Sequence, residues 1–291
     1  MQHLPIILFW LLGIIGGSNF IFMKLATELI TPIQVVVLRV LFGLFPIAIY
    51  AWSQSAFKIS HAKHIGHFFV MATVGTVAYY YGFVKGASLL PSGITGALSG
   101  LTPIFSYLLA VMMIAQERFV AHRLLGIIIG FIGILFIARP FTDGLSQAGT
   151  MGVLYTMIGA FGIGGSIVYV KKYLIPLNIP PSALVTYQLG LASIILLFLI
   201  DMDNIGHIFN DTQIAAGLIL GLGILGTGFA FIIYYYIIEK LGPVKTASVA
   251  YIPPIVALII GFFAGEEIGI QDYLGVALIL LGVVLTTREK L

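Results

Sequence analysis

Long apolar runs, broken by short polar connections, dominate this sequence and limit what it can fold into. The run Leu4–Met23 contains no charged residue, and about 20 apolar residues are what an α-helix needs to cross the hydrocarbon core of a bilayer. Charged residues make up 9% of the chain, against roughly 25% in soluble domains. Because a helix satisfies its backbone hydrogen bonds within the segment, these features predict an all-α membrane protein.

Ten apolar runs are predicted to be transmembrane helices, since each is bounded by charges, proline or asparagine. The first five are Leu4–Met23, Ile33–Trp52, Gly66–Val84, Ser92–Ala115 and His122–Ala138. The second five are Ala148–Val170, Ser182–Ile200, Ile214–Ile238, Val244–Ala264 and Gln271–Thr286. The connections between them are too short to contain a soluble domain.

Lysine and arginine residues are distributed unevenly among these connections. If the N-terminus lies inside, ten of the fourteen are in inner connections, and Lys24, Lys85 and Arg139 are in outer ones. The remaining one, Arg39, lies within the second run. Because cytoplasmic loops retain an excess of lysine and arginine, both termini are predicted to be cytoplasmic.

Similar motifs recur about half a chain apart. The stretch GIIGGSNFIFMK (13–24) matches FGIGGSIVYVKK (161–172) at an offset of 148, and Glu117 matches Glu266 at an offset of 149. The chain is therefore predicted to consist of two five-helix units, residues 1–140 and 148–288. Because five is an odd number, the second unit is inverted in the membrane, an arrangement that transporters use for alternating access.

Several of these motifs together resemble a known family. They are GSNF..MK, the Arg39 of VVVLRV, the spacing LTPIFSYLLAVMMIAQER…LLGIIIGFIG, and GTGFAF…LGP…ASVAYIPPIVALIIGFFAGEE…LGVALILLG. In combination they are similar to the EamA-type proteins of the drug/metabolite transporter superfamily. The resemblance implies a ten-helix fold of two inverted repeats. It also implies export or exchange of small metabolites, such as amino acids, across a bacterial or archaeal plasma membrane.

The fourth run carries hydroxyl groups on one helical face. Thr95, Ser99, Thr102 and Ser106 recur at i, i+4, i+7 and i+11, a spacing that aligns side chains along a helix. A polar stripe on a membrane helix faces protein or water, so this one is predicted to line a substrate cavity. The alternative is that the hydroxyls bond to carbonyls of their own helix.

Arg39 is the one charge placed well inside a predicted helix. An arginine at mid-membrane costs on the order of 2.5 to 3.5 kcal/mol. It either snorkels to the surface or meets an anionic group such as a carboxylate. The tyrosine trios 79–81 and 234–236 are predicted to place Tyr80 at the outer mouth of the cavity and Tyr234 at the inner mouth, the alternative being interfacial aromatic belts.

The glycine–serine motifs of the first and sixth runs predict either close helix packing or a cavity lining. Proline in mid-helix removes a hydrogen-bond donor and kinks the helix, so Pro103, Pro253 and Pro254 are predicted kinks. The predicted substrate-binding residues are Ser18, Asn19, Arg39, Thr76, Tyr80, Thr95, Ser99, Thr102, Tyr155, Ser166, Tyr169, Tyr234, Ser248 and Tyr251.

The predicted function is that of a secondary transporter for neutral or zwitterionic metabolites, with an ion or small-solute channel as the alternative. No catalytic motif lies at membrane depth, so an enzyme is not expected. No cofactor, metal or nucleic acid is expected; the expected partners are the lipid bilayer and a small-molecule substrate. Glycines of the fifth and tenth runs predict close packing and a homo-oligomer through these helices. Every acidic residue falls at the end of a run or in a connection, which predicts facilitated diffusion or exchange rather than proton coupling.

Overall fold

The structure, a computed structural model, describes residues 3–115, 120–138, 147–241 and 248–287. Within these ranges the side chains of Tyr235, Ile238, Glu239, Ser248, Tyr251, Thr286 and Thr287 lie outside the description. The described chain is built from helices and contains no strand. The all-α fold class is therefore confirmed.

Helices cover all ten predicted runs in these ranges. The first five are α1 (Leu4–Thr27), α2 (Pro32–Ser53), α3 (Ile65–Ala72, π-helical Thr73–Ala78 and Tyr79–Ala87), α4 (Ser92–Leu98, 3₁₀-helical Ser99–Leu101 and Thr102–Met113) and α5 (Ala121–Ala138). The second five are α6 (Gln147–Tyr169, π-helical Val170–Leu174 and 3₁₀-helical Ile175–Leu177), α7 (Pro181–Leu199), α8 (Thr212–Ala216, π-helical Gly217–Phe229 and Ala230–Leu241), α9 (3₁₀-helical Ser248–Tyr251 and Ile252–Phe263) and α10 (Ile270–Thr287).

Six of the described helices are long and apolar enough to cross a membrane, by length and composition. They are α1, α2, α4, α6, α7 and α8, and shorter apolar helices lie within α5, α9 and α10. Large apolar side chains cover much of the surface; for example, Phe198 is 87% exposed and Phe263 is 81% exposed. These features describe a multi-pass membrane protein, while the count of ten crossings and the cytoplasmic termini stay predictions.

Helix packing repeats when each helix of the first unit is exchanged for its counterpart in the second. Helix α1 packs on α9 and α8, and its counterpart α6 packs on α4 and α3. In the same way α2 packs on α8, and α7 packs on α3. An inverted duplication produces such paired contacts, although the boundaries 1–140 and 148–288 stay predictions.

The duplicated glycine–serine motifs lie at two of these contacts. A Cβ atom built at Gly17 would lie 2.5 Å from the Val256 Cβ on α9. One built at Gly164 would lie 2.9 Å from the Thr102 carbonyl oxygen on α4. Because a side chain would prevent these approaches, the motifs bring helices together, as small residues do in membrane proteins.

Glycines also join α5 to α10 within the chain. A Cβ atom at Gly133 would lie 2.5 Å from the Gly275 carbonyl oxygen, and one at Gly282 would lie 2.5 Å from the Gly126 carbonyl oxygen. These glycine faces are therefore occupied by the partner helix of the same chain. The homo-oligomer predicted through α5 and α10 stays a prediction, and it would have to use other faces of these helices.

Helices α4 and α9 are interrupted at corresponding places. A 3₁₀ turn, Ser99–Leu101, precedes Pro103 in α4, and another, Ser248–Tyr251, precedes Pro253 and Pro254 in α9. Each interruption ends two residues before a proline at which the sequence predicts a kink. Proline has no N–H group to donate to the preceding turn.

Candidate functional site

The Arg39 guanidinium is buried where α1, α2, α3 and α8 meet. Its Nε donates a hydrogen bond to the Thr227 Oγ1 at 3.0 Å, and its Nη2 lies 3.5 Å from the Gly226 carbonyl oxygen. Its Nη1 lies 3.6 Å from the Met23 Sδ, and the guanidinium carbon lies 4.0 Å from the centre of the Tyr80 ring. We call the hydrogen bonds of Arg39 with Gly226 and Thr227 the arginine contact.

The charge of Arg39 is held without an acidic partner. The residue is 2% exposed, so the side chain does not snorkel to the surface. Within the described ranges the one salt bridge joins Lys24 to Glu266 and does not include Arg39. Burying a charge is costly unless it is paired and hydrogen-bonded; here a hydroxyl, a carbonyl, a sulfur and an aromatic face supply that compensation.

Asn19 lies beside the arginine contact and carries an unsatisfied acceptor. Its side chain is on α1 and is 7% exposed, and its Nδ2 lies 3.5 Å from the same Gly226 carbonyl oxygen. Its Oδ1 has no hydrogen-bond partner among the described residues. A buried acceptor left in this state costs about 1–3 kcal/mol. In the described part of the chain, the cluster thus contains a cation without an anion and an acceptor without a donor.

A second polar contact, which the sequence analysis missed, corresponds to the first. The Gln188 Nε2 on α7 donates to the Thr76 Oγ1 at 2.7 Å and to the Gly75 carbonyl oxygen at 3.2 Å. We call these bonds the glutamine contact. Arg39 and Gln188 are 149 positions apart, and Gly75-Thr76 and the Gly-Thr pair of the arginine contact are 151 apart. The signal was available, because the offset of 149 also relates Glu117 to Glu266.

Both contacts are made to π-helical segments. Gly75 and Thr76 belong to Thr73–Ala78, and Gly226 and Thr227 belong to Gly217–Phe229. Thr227 donates its own hydroxyl proton to the Leu222 carbonyl, five residues back. A π-turn widens the helix and is frequent at functional sites. In both units, therefore, a side chain of the second helix bonds to irregular backbone of the third helix of the other unit.

A third contact joins α9 to the start of α4 through Glu266. Gly265 has a φ of 75°, a left-handed conformation that ends helices and turns the chain back. The Glu266 carboxylate accepts hydrogen bonds from the backbone N–H of Ser92 at 2.7 Å and of Gly93 at 3.0 Å. The Lys24 Nζ lies 3.3 Å from the same carboxylate. We call this set the Glu266 contact.

The Glu266 carboxyl is held in its charged form. Burial by itself raises its pKa, but the N–H groups of Gly93 and Ser92, with Lys24, outweigh burial and leave the pKa below its usual value of 4.5. The side chain is 6% exposed and that of Lys24 is 31% exposed. Sequence analysis did not assign this role, because both carboxylate partners on α4 are backbone groups.

The hydroxyls predicted to line a cavity bond mostly within their own helices, as the alternative interpretation allows. Ala97 and Leu101 on the opposite face of α4 are fully buried, whereas Ser99 and Thr102 are partly exposed. The hydroxyls of four predicted residues each donate to a carbonyl three or four residues back: Ser18 to Ile15, Thr95 to Pro91, Ser99 to Gly96 and Ser166 to Ile163.

Two further predicted residues, Tyr155 and Tyr169, contact groups outside the arginine contact. Tyr155 lines a groove of about 410 Å³ with Lys85 and Gln147, and the Tyr169 hydroxyl lies 2.8 Å from the His67 Nδ1. Tyr234 is 38% exposed, and the side chains of Ser248 and Tyr251 are outside the described residues. Of the fourteen predicted residues, Asn19, Arg39 and Tyr80 meet in one cluster, and Thr76 belongs to its counterpart.

Comparison with known proteins identifies the class. An uncharacterized transporter of Archaeoglobus fulgidus is 25% identical over 277 residues, which cover 94% of this chain and 95% of that protein. The uncharacterized transporter YoaV of Bacillus subtilis is 23% identical over 275 residues, covering 94% of this chain and 93% of its own. A protein of known crystal structure shares the fold, with a TM-score of 0.61 at 18% identity over 96% of this chain and 94% of that one.

The sequence pattern that describes the EamA-like transporter family matches residues 3–139 and 150–288 of this chain. The names of the family and of these relatives are those of transporters, not enzymes, in agreement with the sequence analysis. The match extends over nearly all of the chain, and it shows that this multi-pass membrane protein belongs to the EamA-like transporter family.

Proposed function

We propose that this transporter exports or exchanges amino acids, or related neutral and zwitterionic metabolites, by alternating access across the plasma membrane of a prokaryote. The observation that carries the proposal is the buried Arg39, which has no acidic partner among the described residues, beside the Asn19 Oδ1, which has no donor.

The chemistry of this pair fits the two charged ends of an amino acid. A guanidinium presents a planar set of donors that binds a carboxylate through two parallel hydrogen bonds. The Asn19 Oδ1 is an acceptor that has no donor among the described residues, which suits an ammonium group. A dianionic phosphate ester would require a second cation, and the nearby end of α1 offers only Lys24, which is paired with Glu266.

Burial of the site supports a carrier rather than a channel. Arg39 is 2% exposed and Tyr80 is 3% exposed, so a solute reaches them only after α1, α2, α3 and α8 separate. A continuous pore would leave its polar lining in contact with water. The paired helix contacts of the two units are the kind of interface on which one unit moves against the other.

The position of the acidic residues supports transport without proton coupling. Glu266 lies beyond the end of α9, at the start of α4, and its low pKa keeps it charged at neutral pH. A carboxyl that carries protons through a cycle titrates near the working pH. The substrate gradient therefore drives the proposed transport.

Counterflow in proteoliposomes tests this function. The purified chain is reconstituted in liposomes filled with a mixture of the twenty unlabelled amino acids, and the uptake of each labelled amino acid is measured. We expect saturable uptake of at least one of them, no uptake in protein-free liposomes, and no accumulation driven by an imposed pH gradient alone. A conductance that does not saturate would favour the channel, and stronger thermal stabilisation by a phosphate ester than by any amino acid would contradict the proposed substrate class.

A further inference from the structure

We infer that Gln188 is a specificity-determining residue, the neutral counterpart of Arg39, and that the transporter therefore binds the carboxylate of its substrate more tightly from one side of the membrane than from the other. This inference rests on the proposed function, because it concerns the carboxylate of the proposed substrate.

The two side chains occupy equivalent positions. Arg39 lies seven residues after Pro32, the first residue of α2, and Gln188 lies seven residues after Pro181, the first residue of α7. Each bonds to a glycine carbonyl and a threonine hydroxyl on a π-helical segment of the other unit. The position, the Gly-Thr partners and the helix type all correspond, so the charge of the side chain on the second helix is the main difference between the two contacts.

The equivalent positions are in opposite halves of the membrane. At a rise of about 1.5 Å per residue, seven residues place each side chain about 10 Å from the end at which its helix begins. In the inverted arrangement α2 begins at the outer surface and α7 at the inner surface. Arg39 therefore belongs to the outer half of the transport path and Gln188 to the inner half.

The side-chain difference makes the two halves unequal toward an anion. The guanidinium of Arg39 keeps its positive charge, and its donors are only partly used by Thr227, Gly226 and Met23. The Gln188 amide is neutral, and its Nε2 already donates to Gly75 and Thr76. Hydrogen bonds to an ionised group are roughly twice as strong as neutral ones.

The groups around Gln188 add no charge. Among the described residues its hydrogen-bond partners are Gly75 and Thr76, and Ser166 lies against Gly75 from α6. At the glutamine contact a carboxylate meets the amide of Gln188 and the hydroxyl of Thr76. We therefore expect the half-saturating concentration of an amino acid to be about tenfold lower on the outer side, which corresponds to about 1.4 kcal/mol.

Exchange of the two side chains tests the inference directly. The variants are Arg39→Gln, Gln188→Arg and the double exchange of both, each reconstituted with a known orientation. Because the chain contains no cysteine, a single Lys58→Cys reporter gives the orientation through its reaction with an impermeant thiol reagent. The probes are the amino acid that the wild type carries fastest from the mixture of twenty, and the amine formed when that amino acid loses its carboxyl group.

We expect the wild type to show the lower half-saturating concentration outside, Arg39→Gln to lose the tenfold difference, and the double exchange to reverse it. The amine should show little difference between the sides in any variant, because it carries no carboxylate. Double-exchange protein that still favours the outer side, or that behaves as Arg39→Gln alone, would overturn the inference.

If an arginine at position 188, which is larger than glutamine, prevents folding, a second variant tests the inference. Gln188→Glu is nearly the same size, and Thr76 donates its hydroxyl proton to the new carboxylate. The Gln188→Glu variant should raise the half-saturating concentration of the amino acid on the inner side and lower that of the amine. An unchanged ratio between the two probes overturns the inference. Absence of counterflow in the wild type overturns the proposed function and this inference together, whereas counterflow with equal affinities on both sides overturns this inference alone.

Discussion

The arginine contact and the glutamine contact occupy corresponding places in the two units but differ in charge. Arg39 and Gln188 each join the second helix of one unit to a Gly-Thr pair in the third helix of the other unit. The backbone arrangement is therefore repeated while the chemistry is not. Helix packing accounts for what the two contacts share, and the proposed recognition of a substrate carboxylate would account for their difference in charge.

Removal of the Arg39 charge is the strongest test of this comparison. We expect Arg39→Gln, which makes the two contacts chemically equal, to reduce amino-acid counterflow about tenfold at concentrations below saturation, because the charged hydrogen bond that it removes from the substrate carboxylate corresponds to about 1.4 kcal/mol. Gln188→Met removes the other contact and should reduce counterflow much less. Thermal unfolding in detergent checks that both variants are folded. Equal losses of counterflow in two folded variants would mean that both contacts serve packing alone.

If a substrate passes between the arginine contact and the glutamine contact, water must reach that path. The reactivity of cysteines placed on α4 tests whether water does so. Ser99 is partly exposed, whereas Ala97 is fully buried. A cysteine reacts as the thiolate, which forms where water reaches it. We therefore expect Ser99→Cys to react about tenfold faster than Ala97→Cys with a hydrophilic thiol reagent, and a transported amino acid to slow the reaction. Similar rates, or no protection by the amino acid, would show that this face of α4 is only packed.

The Glu266 contact tests how firmly the N-terminal end of α4 is held. Glu266→Gln keeps the shape but removes the charge, and we expect it to lower the free energy of unfolding by about 1–3 kcal/mol at pH 7. Its neighbour Glu267 is exposed, so Glu267→Gln is a matched control that should change little. Thermal unfolding in detergent measures both.

The same variant predicts a pH dependence. The pKa of Glu266 is lower in the folded chain than its usual value of 4.5, so the folded state favours the ionised form. The stabilisation is then present above that usual value and is lost as the pH falls through the folded pKa. The difference between wild type and Glu266→Gln should therefore be constant between pH 6 and 8 and disappear only below about pH 4.5. A difference that disappears near pH 6 would contradict the assignment.

The smallest expected effect separates the two threonines. Thr227→Val removes an acceptor from a charged donor, which costs about 1.5–3 kcal/mol, and Thr76→Val removes an acceptor from a neutral amide, which costs about 0.5–1.5 kcal/mol. Each is fully or almost fully buried, so solvent does not replace the lost bond. Chemical denaturation of both variants measures the difference, and a larger loss for Thr76→Val would break the comparison.

Much of the architecture was predictable because its causes are local. Apolar runs of sufficient length mark the helices, and the observed bounds of α2 and α7 differ from the predicted runs by one residue at each end. The 3₁₀ turns Ser99–Leu101 and Ser248–Tyr251 end two residues before Pro103 and Pro253, and the kinks predicted at these prolines stay predictions. The burial of Arg39 beside Asn19 and Tyr80 was only partly predicted, since the sequence left open snorkelling to the surface.

The rest depends on partners that are remote in the chain. Gln188 looks like one polar residue in an apolar run until its 149-residue counterpart is compared, and its bond to Thr76 spans 112 positions. Tyr155 was expected to line the cavity and Tyr234 to lie at its inner mouth, because each continues a helical stripe, and both positions stay predictions. In the structure Tyr155 lines a groove with Lys85, and Tyr234 is 38% exposed. A stripe gives the direction of a side chain on its own helix but not which neighbour covers it.

The sequence by itself determined that this chain is helical, lies in a membrane and contains repeated motifs, because hydrophobic length and internal similarity act along the chain. Only the tertiary structure decided that Arg39 bonds to Thr227, 188 positions away, and that Glu266 holds the start of α4, 174 positions away. These bonds form because glycines let the helices approach closely and because a buried polar group must find a partner. The order of residues along the chain does not specify these partners; the packing of the two units does.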